Sequence, residues 1–120
     1  MHERAAEDLR EARRPIASLL SKSEKAQRNL QPGTWQHTML QDNIEALRIV
    51  SALMDGEPLP GDTGADALQR ALDALSSMIV RTETALAKFA PGTSQHSLQR
   101  NRLAALRVAE ALVRAEIDRA

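Results

Sequence analysis

Cysteine is missing from this chain of 120 residues, and only two residues are aromatic, Trp35 and Phe89. The lack of thiols excludes disulfides and thiolate chemistry, and it restricts any zinc site to histidine and carboxylate ligands. With so few aromatic rings, the core must be built from aliphatic side chains. Little is then left for stacking on bases or sugars.

The chain also lacks long apolar runs and an excess of one charge. No apolar stretch approaches the length of a membrane span, and the densely charged start does not resemble a signal peptide. Sixteen basic and sixteen acidic side chains cancel, whereas proteins that bind nucleic acid or membrane surfaces usually carry a basic excess. A cytoplasmic location with no membrane partner is the default expectation, and a nucleic-acid partner is disfavoured.

A six-residue signature occurs twice, as PGTWQH at residues 32–37 and as PGTSQH at residues 91–96. The offset is 59 residues, and ten of 24 positions are identical between residues 31–54 and residues 90–113. Such self-similarity indicates one unit of about sixty residues that is used twice. We predict a single domain, 1–120, with repeat units at 5–54 and 65–119 and a linker at 55–64.

Helix-favouring residues, with apolar positions at steps of three, four and seven, predict two helices in each unit. Pro32 and Gly33 end the incoming helix, and Thr34 occupies the N-cap position of the next helix, as Thr93 does in the second unit. So short a connection makes the flanking helices antiparallel neighbours. The predicted fold is all-α, an up-down-up-down four-helix bundle built from two tandem helical hairpins.

Pro15 is an exception to the repeat, because its counterpart in the second unit is Ala74. Proline removes a helical hydrogen bond, so the first helix either kinks there or breaks before it. The match between Leu9 and Leu68 favours a kinked helix that continues upstream.

Several repeated or unusual polar and aromatic residues are candidates for binding a ligand or partner. A histidine pair near Glu24 and Glu83 would suit a metal or acid–base chemistry. The spacing instead favours a role in the turns, because Glu24 falls more than a helical turn from His37 across the hairpin. The candidates are Trp35, Gln36, His37, Gln95, His96, Arg48 and Arg107.

Asn43 and its counterpart Arg102 fall within the apolar arcs of their helices. Buried polar groups need partners, and the fold-back of each hairpin sets Glu24 near Asn43 and Glu83 near Arg102. We predict that these two polar pairs fix the register of the hairpins. A small polar pocket between the helices is the alternative.

The helical pattern also predicts the exposure of other candidates. Gln36 and Gln95 point into the apolar arc. Arg48 and Arg107 lie opposite it and either pair with acids of their own helices or mark a binding face. Trp35 is expected to pack over the bundle end; if exposed, it would be a candidate anchor for a partner.

The sequence has no phosphate loop, nucleophile elbow or HExxH motif, so we expect no catalytic residue, metal or cofactor. The leading hypothesis is a non-enzymatic helical interaction or regulatory module that binds another protein or itself. A broad apolar arc around Val108 on the last helix favours a homodimer. A metal- or small-molecule-binding bundle that uses the Gln-His pairs is the alternative, and a DNA-binding protein is a weaker one.

Overall fold

Four α-helices make up most of residues 2–61 and 63–119, the part of the chain that the computed structural model describes. They are α1 (His2–Arg28), α2 (Trp35–Asp55), α3 (Ala65–Leu86) and α4 (Ser94–Arg119). No strand occurs in these residues. The prediction of an all-α chain with four helices is confirmed.

Each signature ends one helix and starts the next. Gly33 and Gly92 have φ angles of 87° and 89°, in the left-handed region that residues with a side chain disfavour. Thr34 is the N-cap of α2, and its hydroxyl accepts a hydrogen bond from the backbone N–H of His37 at 3.3 Å. The hydroxyl of Thr93 accepts from the third residue after it at 3.2 Å. The two turns therefore have the same local construction.

Helix α1 runs through Pro15 without a break. Because proline has no N–H, the carbonyl of Glu11 lacks the helical donor that any other residue at position 15 would supply. Ile16, which is 1% exposed, holds this part of α1 in the core. The apolar packing of the next residue thus offsets the cost of the proline.

All four helices contribute to one aliphatic core. Its most deeply buried members include Ile16, Leu47, Leu75 and Leu106. Helix α1 packs on α2 and α4, and α3 packs on the same two helices, while α2 touches α4 only slightly. Leu47 and Leu106, which the 59-residue offset of the signature separates, are both almost fully buried.

The core lies away from the turns, and the molecule is flat. Buried residues begin at Asn43 on α2 and at Leu103 on α4, so the first two turns of each helix contribute none. The overall extents are 45 × 42 × 19 Å, and a helix of 26 residues is about 39 Å long. Since two of the extents match the length of a helix, the four helices do not follow one common axis.

This flat shape leaves 7879 Å² of surface accessible, against about 6,400 Å² for an average monomer of this mass.

Among the described residues, no helix combines the length and the apolar character needed to cross a bilayer.

The wide apolar arc of α4 finds its neighbours within the chain. Leu103, Leu106 and Val113 are buried, and Val108 is half-buried against the core, with α1 and α3 both packed on α4. The arc therefore no longer argues for a dimer partner. Ile49 is likewise a core residue, at 4% exposure.

Candidate functional site

In each hairpin, an ion pair joins the two helices at an equivalent position. Arg48 Nη2 lies 2.7 Å from Glu24 Oε2, and Arg107 Nη2 lies 3.2 Å from Glu83 Oε2. The members of the second pair follow those of the first by 59 residues. All four side chains are partly exposed, so the pairs bridge the helices of each hairpin at its surface.

The structure gives these carboxylates other partners than the sequence analysis expects. The sequence predicts Glu24 beside Asn43 and Glu83 beside Arg102, but the arginines that they contact lie five residues further along. Five residues correspond to about 7.5 Å of helix, a distance that the long arginine side chain spans. Asn43 is buried and lines a groove between α2 and α3, while Arg102 is half-buried.

Arg48 and Arg107 are exposed, and they bridge to the neighbouring helix of the hairpin instead of pairing along their own helices. The acids beside them have other partners. Glu45 accepts from Gln41 Nε2 at 3.1 Å, and Glu110 accepts from the hydroxyl of Ser76 at 2.9 Å.

The repeated Gln-His pairs lie at the start of α2 and α4. Gln36 and Gln95 are exposed and not directed into the apolar arc, because the core begins later on both helices. His37 and His96 are half-buried, and the carbonyl of His37 accepts from Gln27 Nε2 at 3.5 Å. In the described part of the chain, no three His, Asp or Glu side chains are grouped so that they could hold a metal ion.

Trp35 is the first residue of α2 and is 73% exposed. It does not pack over the bundle end, because the buried part of α2 begins only at Asn43. The left-handed Gly33 and the Thr34 cap define the chain immediately before it. The indole therefore projects from an ordered helix start. Ser94 occupies the matching position in the second turn, so the second copy of the signature has no aromatic side chain.

A few large apolar side chains remain exposed. Within the described residues, the large apolar side chains that remain exposed are Trp35, Val80 and Leu98. Each lies within twelve residues of Gly33 or Gly92 along the chain.

The segments around the turns carry no acidic side chain. Neither residues 25–41 nor residues 84–109 contain Asp or Glu. Their cations are Lys25, Arg28, Lys88, Arg100, Arg102 and Arg107. We refer to the exposed side chains of these two segments as the turn surface. These acid-free stretches can be read directly from the sequence, but the balanced total charge conceals them.

A longer segment around the linker has the opposite charge bias. It covers residues 42–66, from the middle of α2 to the start of α3, and we call it the linker segment. It contains six acids and one basic residue, Arg48, which is already bonded to Glu24. The neutral chain thus contains two acid-free basic segments and one acidic segment, while the remaining residues carry charges of both signs.

Two open grooves have linings that match under the 59-residue offset. The groove between α1 and α4 has a volume of about 630 Å³, and the groove between α2 and α3 one of about 280 Å³. The matching residues are Glu11 with Arg70, Arg14 with Asp73, Pro15 with Ala74, and Asn101 with Asp42. Charge is reversed at the first two of these positions, so the two grooves do not offer one shared ligand chemistry.

A third cavity, of about 270 Å³, lies where the linker meets α2 and α3. Ile49, Pro60 and Ala67 supply apolar atoms to its lining, and Glu45 lies on the same lining. We call this cavity the linker pocket. The sequence does not indicate this pocket, because the pocket depends on how the loop after α2 folds back on the helix.

Comparisons with protein-family models, with curated proteins and with solved structures gave no match. The inference of function therefore rests on the geometry and charge of the chain itself.

Proposed function

We propose that this protein is a non-enzymatic interaction or regulatory module that binds another protein or a second copy of itself through its turn surface, with Trp35 as the anchor. The observation that carries the proposal is an indole that is 73% exposed on the first residue of a capped helix. Tryptophan is enriched among the residues that dominate binding energy, and an ordered support lowers the entropy lost on binding. Leu98, which is exposed, and the acid-free segments near both turns support the same surface.

The proposal takes the chain as one domain in which two equivalent hairpins follow each other, with the two helices of each hairpin running up and down along an axis of their own. The identical cap geometry, the paired left-handed glycines and the matched ion pairs support this equivalence. Near the end of α3, Arg81 Nη1 donates to Met39 Sδ, near the start of α2, at 3.1 Å. That contact supports an arrangement in which both turns lie on the same side, where they form one surface.

Site-specific photo-crosslinking tests the proposal. Trp35 is replaced by a photoreactive phenylalanine analogue in the cells that make the protein, and a matched control carries the analogue at Ala115, an exposed position near the end of α4. We expect position 35 to crosslink to a discrete protein band that position 115 does not give.

The variant Trp35→Ser then tests the anchor itself. It should lose the partner in co-purification and keep its helicity, because Ser94 occupies the same position in the second turn. Equal crosslinking from positions 35 and 115, or a partner that Trp35→Ser retains at full strength, would contradict the proposal.

A further inference from the structure

We propose that the partner anchored by Trp35 is a second copy of this chain, and that the indole enters the linker pocket of that copy. This inference rests on the proposed function, because it takes the turn surface as the binding surface. In such a pair, the exposed Trp35 is bound by the partner copy, and the linker pocket of that copy is filled.

Trp35 cannot fill the linker pocket of its own chain. Ile49, which lines the pocket, follows Trp35 by fourteen residues on the same helix. That spacing corresponds to about 21 Å of helix axis, much more than the reach of an indole side chain. The indole and the pocket therefore meet only between two copies.

The lining of the linker pocket suits an indole. Ile49, Pro60 and Ala67 offer apolar contact, and the carboxylate of Glu45 is an acceptor for the indole N–H. The larger groove between α1 and α4 has apolar residues too, but its lining includes four charged side chains, Asp8, Arg10, Glu11 and Arg14, against two in the linker pocket. Arg48 and Thr63 also line the linker pocket, and the charge of Arg48 is paired with that of Glu24. Apolar contacts combined with a few polar groups are typical of sites that fix the orientation of a bound ring.

Charge complementarity favours the same pairing. The turn that presents Trp35 is preceded by Lys25 and Arg28, with no acid in residues 25–41. The linker pocket lies in the acidic linker segment, where Glu57 and Asp66 are exposed. Docking thus brings the cations of one copy towards the acids of the other, which speeds encounter and selects against the reverse arrangement.

Sedimentation velocity of the full chain at low salt provides the first test. We expect concentration-dependent self-association that weakens as NaCl is raised, because unlike surface charges are screened. Trp35→Ser removes the indole, and Ala67→Gln fills the pocket with a longer, helix-favouring side chain. Each variant should weaken self-association by roughly 30-fold, the effect expected at the threshold for a hot spot. Gln69→Ala, at an exposed position of α3 outside the pocket, is the matched control and should associate as the wild type does.

A mixing experiment then tests the contact directly. Trp35 is the only tryptophan, so the Trp35→Ser chain does not contribute tryptophan emission, while the Ala67→Gln chain does. Adding Trp35→Ser, whose pocket is intact, to Ala67→Gln should shift the emission to shorter wavelength and restore association. Ala67→Gln alone at the same total concentration should show neither effect. Circular dichroism of each variant checks that the helices are retained.

The proposal is overturned if the wild type remains monomeric at roughly millimolar concentration in low salt, or if Ala67→Gln associates as the wild type does. The proposal is also overturned if duplex DNA shifts the Trp35 emission to shorter wavelength while the protein does not self-associate. In these cases a photo-crosslink from position 35 to a different protein leaves the proposed function standing. If position 35 crosslinks to no protein, the proposed function fails as well.

Discussion

Arg48 reaches across the first hairpin to Glu24, with 2.7 Å between the guanidinium nitrogen and the carboxylate oxygen. The bond joins the C-terminal part of α1 to the middle of α2, and the second hairpin has the same connection between Glu83 and Arg107. Partly exposed ion pairs stabilise proteins only weakly. We therefore expect these pairs to select the register of each hairpin more than they stabilise the fold.

A double-mutant cycle on Glu24→Gln and Arg48→Met should give a coupling free energy of about 0.2–1 kcal/mol. The same cycle on Glu83 and Arg107 should give a similar value. Both couplings should shrink in high salt because the charges are exposed. Urea denaturation at two salt concentrations measures them; a salt-independent coupling of more than about 2 kcal/mol would show that the pairs are desolvated.

Thr34→Ala and Thr93→Ala should each lower the free energy of unfolding by about 1 kcal/mol, because each removes the acceptor of a first-turn N–H. Thr34→Ser and Thr93→Ser should retain most of the stability. The control is Thr84→Ala, whose hydroxyl bonds back to a carbonyl of its own helix, and which should be nearly neutral. Equal losses at all three threonines in thermal unfolding would rule out a specific capping effect.

Leu47→Ala and Leu106→Ala should each cost about 2–5 kcal/mol, because both leucines are almost fully buried and truncation leaves a cavity. Val80→Ala, at a 60% exposed position, should change stability by less than about 0.5 kcal/mol. Chemical denaturation of the three variants compares them. A large loss at only one of the leucines would mean that the two hairpins contribute unequally to the core.

Pro15→Ala should stabilise the protein by about 1–3 kcal/mol, because it restores a donor to the carbonyl of Glu11 within a continuous helix. The reciprocal change, Ala74→Pro, places proline at the equivalent position of α3 and should cost about 3 kcal/mol or more. Thermal unfolding distinguishes the two directions. A loss of stability in Pro15→Ala would indicate that the proline ring itself contributes to packing.

The helices and turns could be predicted because their causes are local. Apolar periodicity and the Pro-Gly-Thr sequence act within a few residues, and the two copies of the signature reinforce each other. The partners of Glu24 and Glu83 could not be placed correctly, since side-chain length adds to the register of the backbone. A shift of a few residues along α2 is enough to change the partner of Glu24 from Asn43 to Arg48.

The exposure of Trp35 and the linker pocket depend on tertiary structure. Helical angle alone directs Gln36 towards the apolar arc, but the core ends before it reaches the first turn of α2. Where a core ends is set by how the hairpins cross, and periodicity carries no information on that crossing. For the same reason the pocket beside Ala67 could not be predicted, since it exists only because the loop folds against two helices.

The molecule is 19 Å thick, which corresponds to about two helix diameters. Because a flat molecule keeps more of its surface accessible, this chain buries roughly three-fifths of the surface that it exposes when unfolded. About two-thirds would be usual for its length. The urea m-value and the heat capacity of unfolding both scale with the area that unfolding exposes. The isolated chain should therefore show a shallower urea transition and a flatter stability curve against temperature than a more spherical protein of 120 residues.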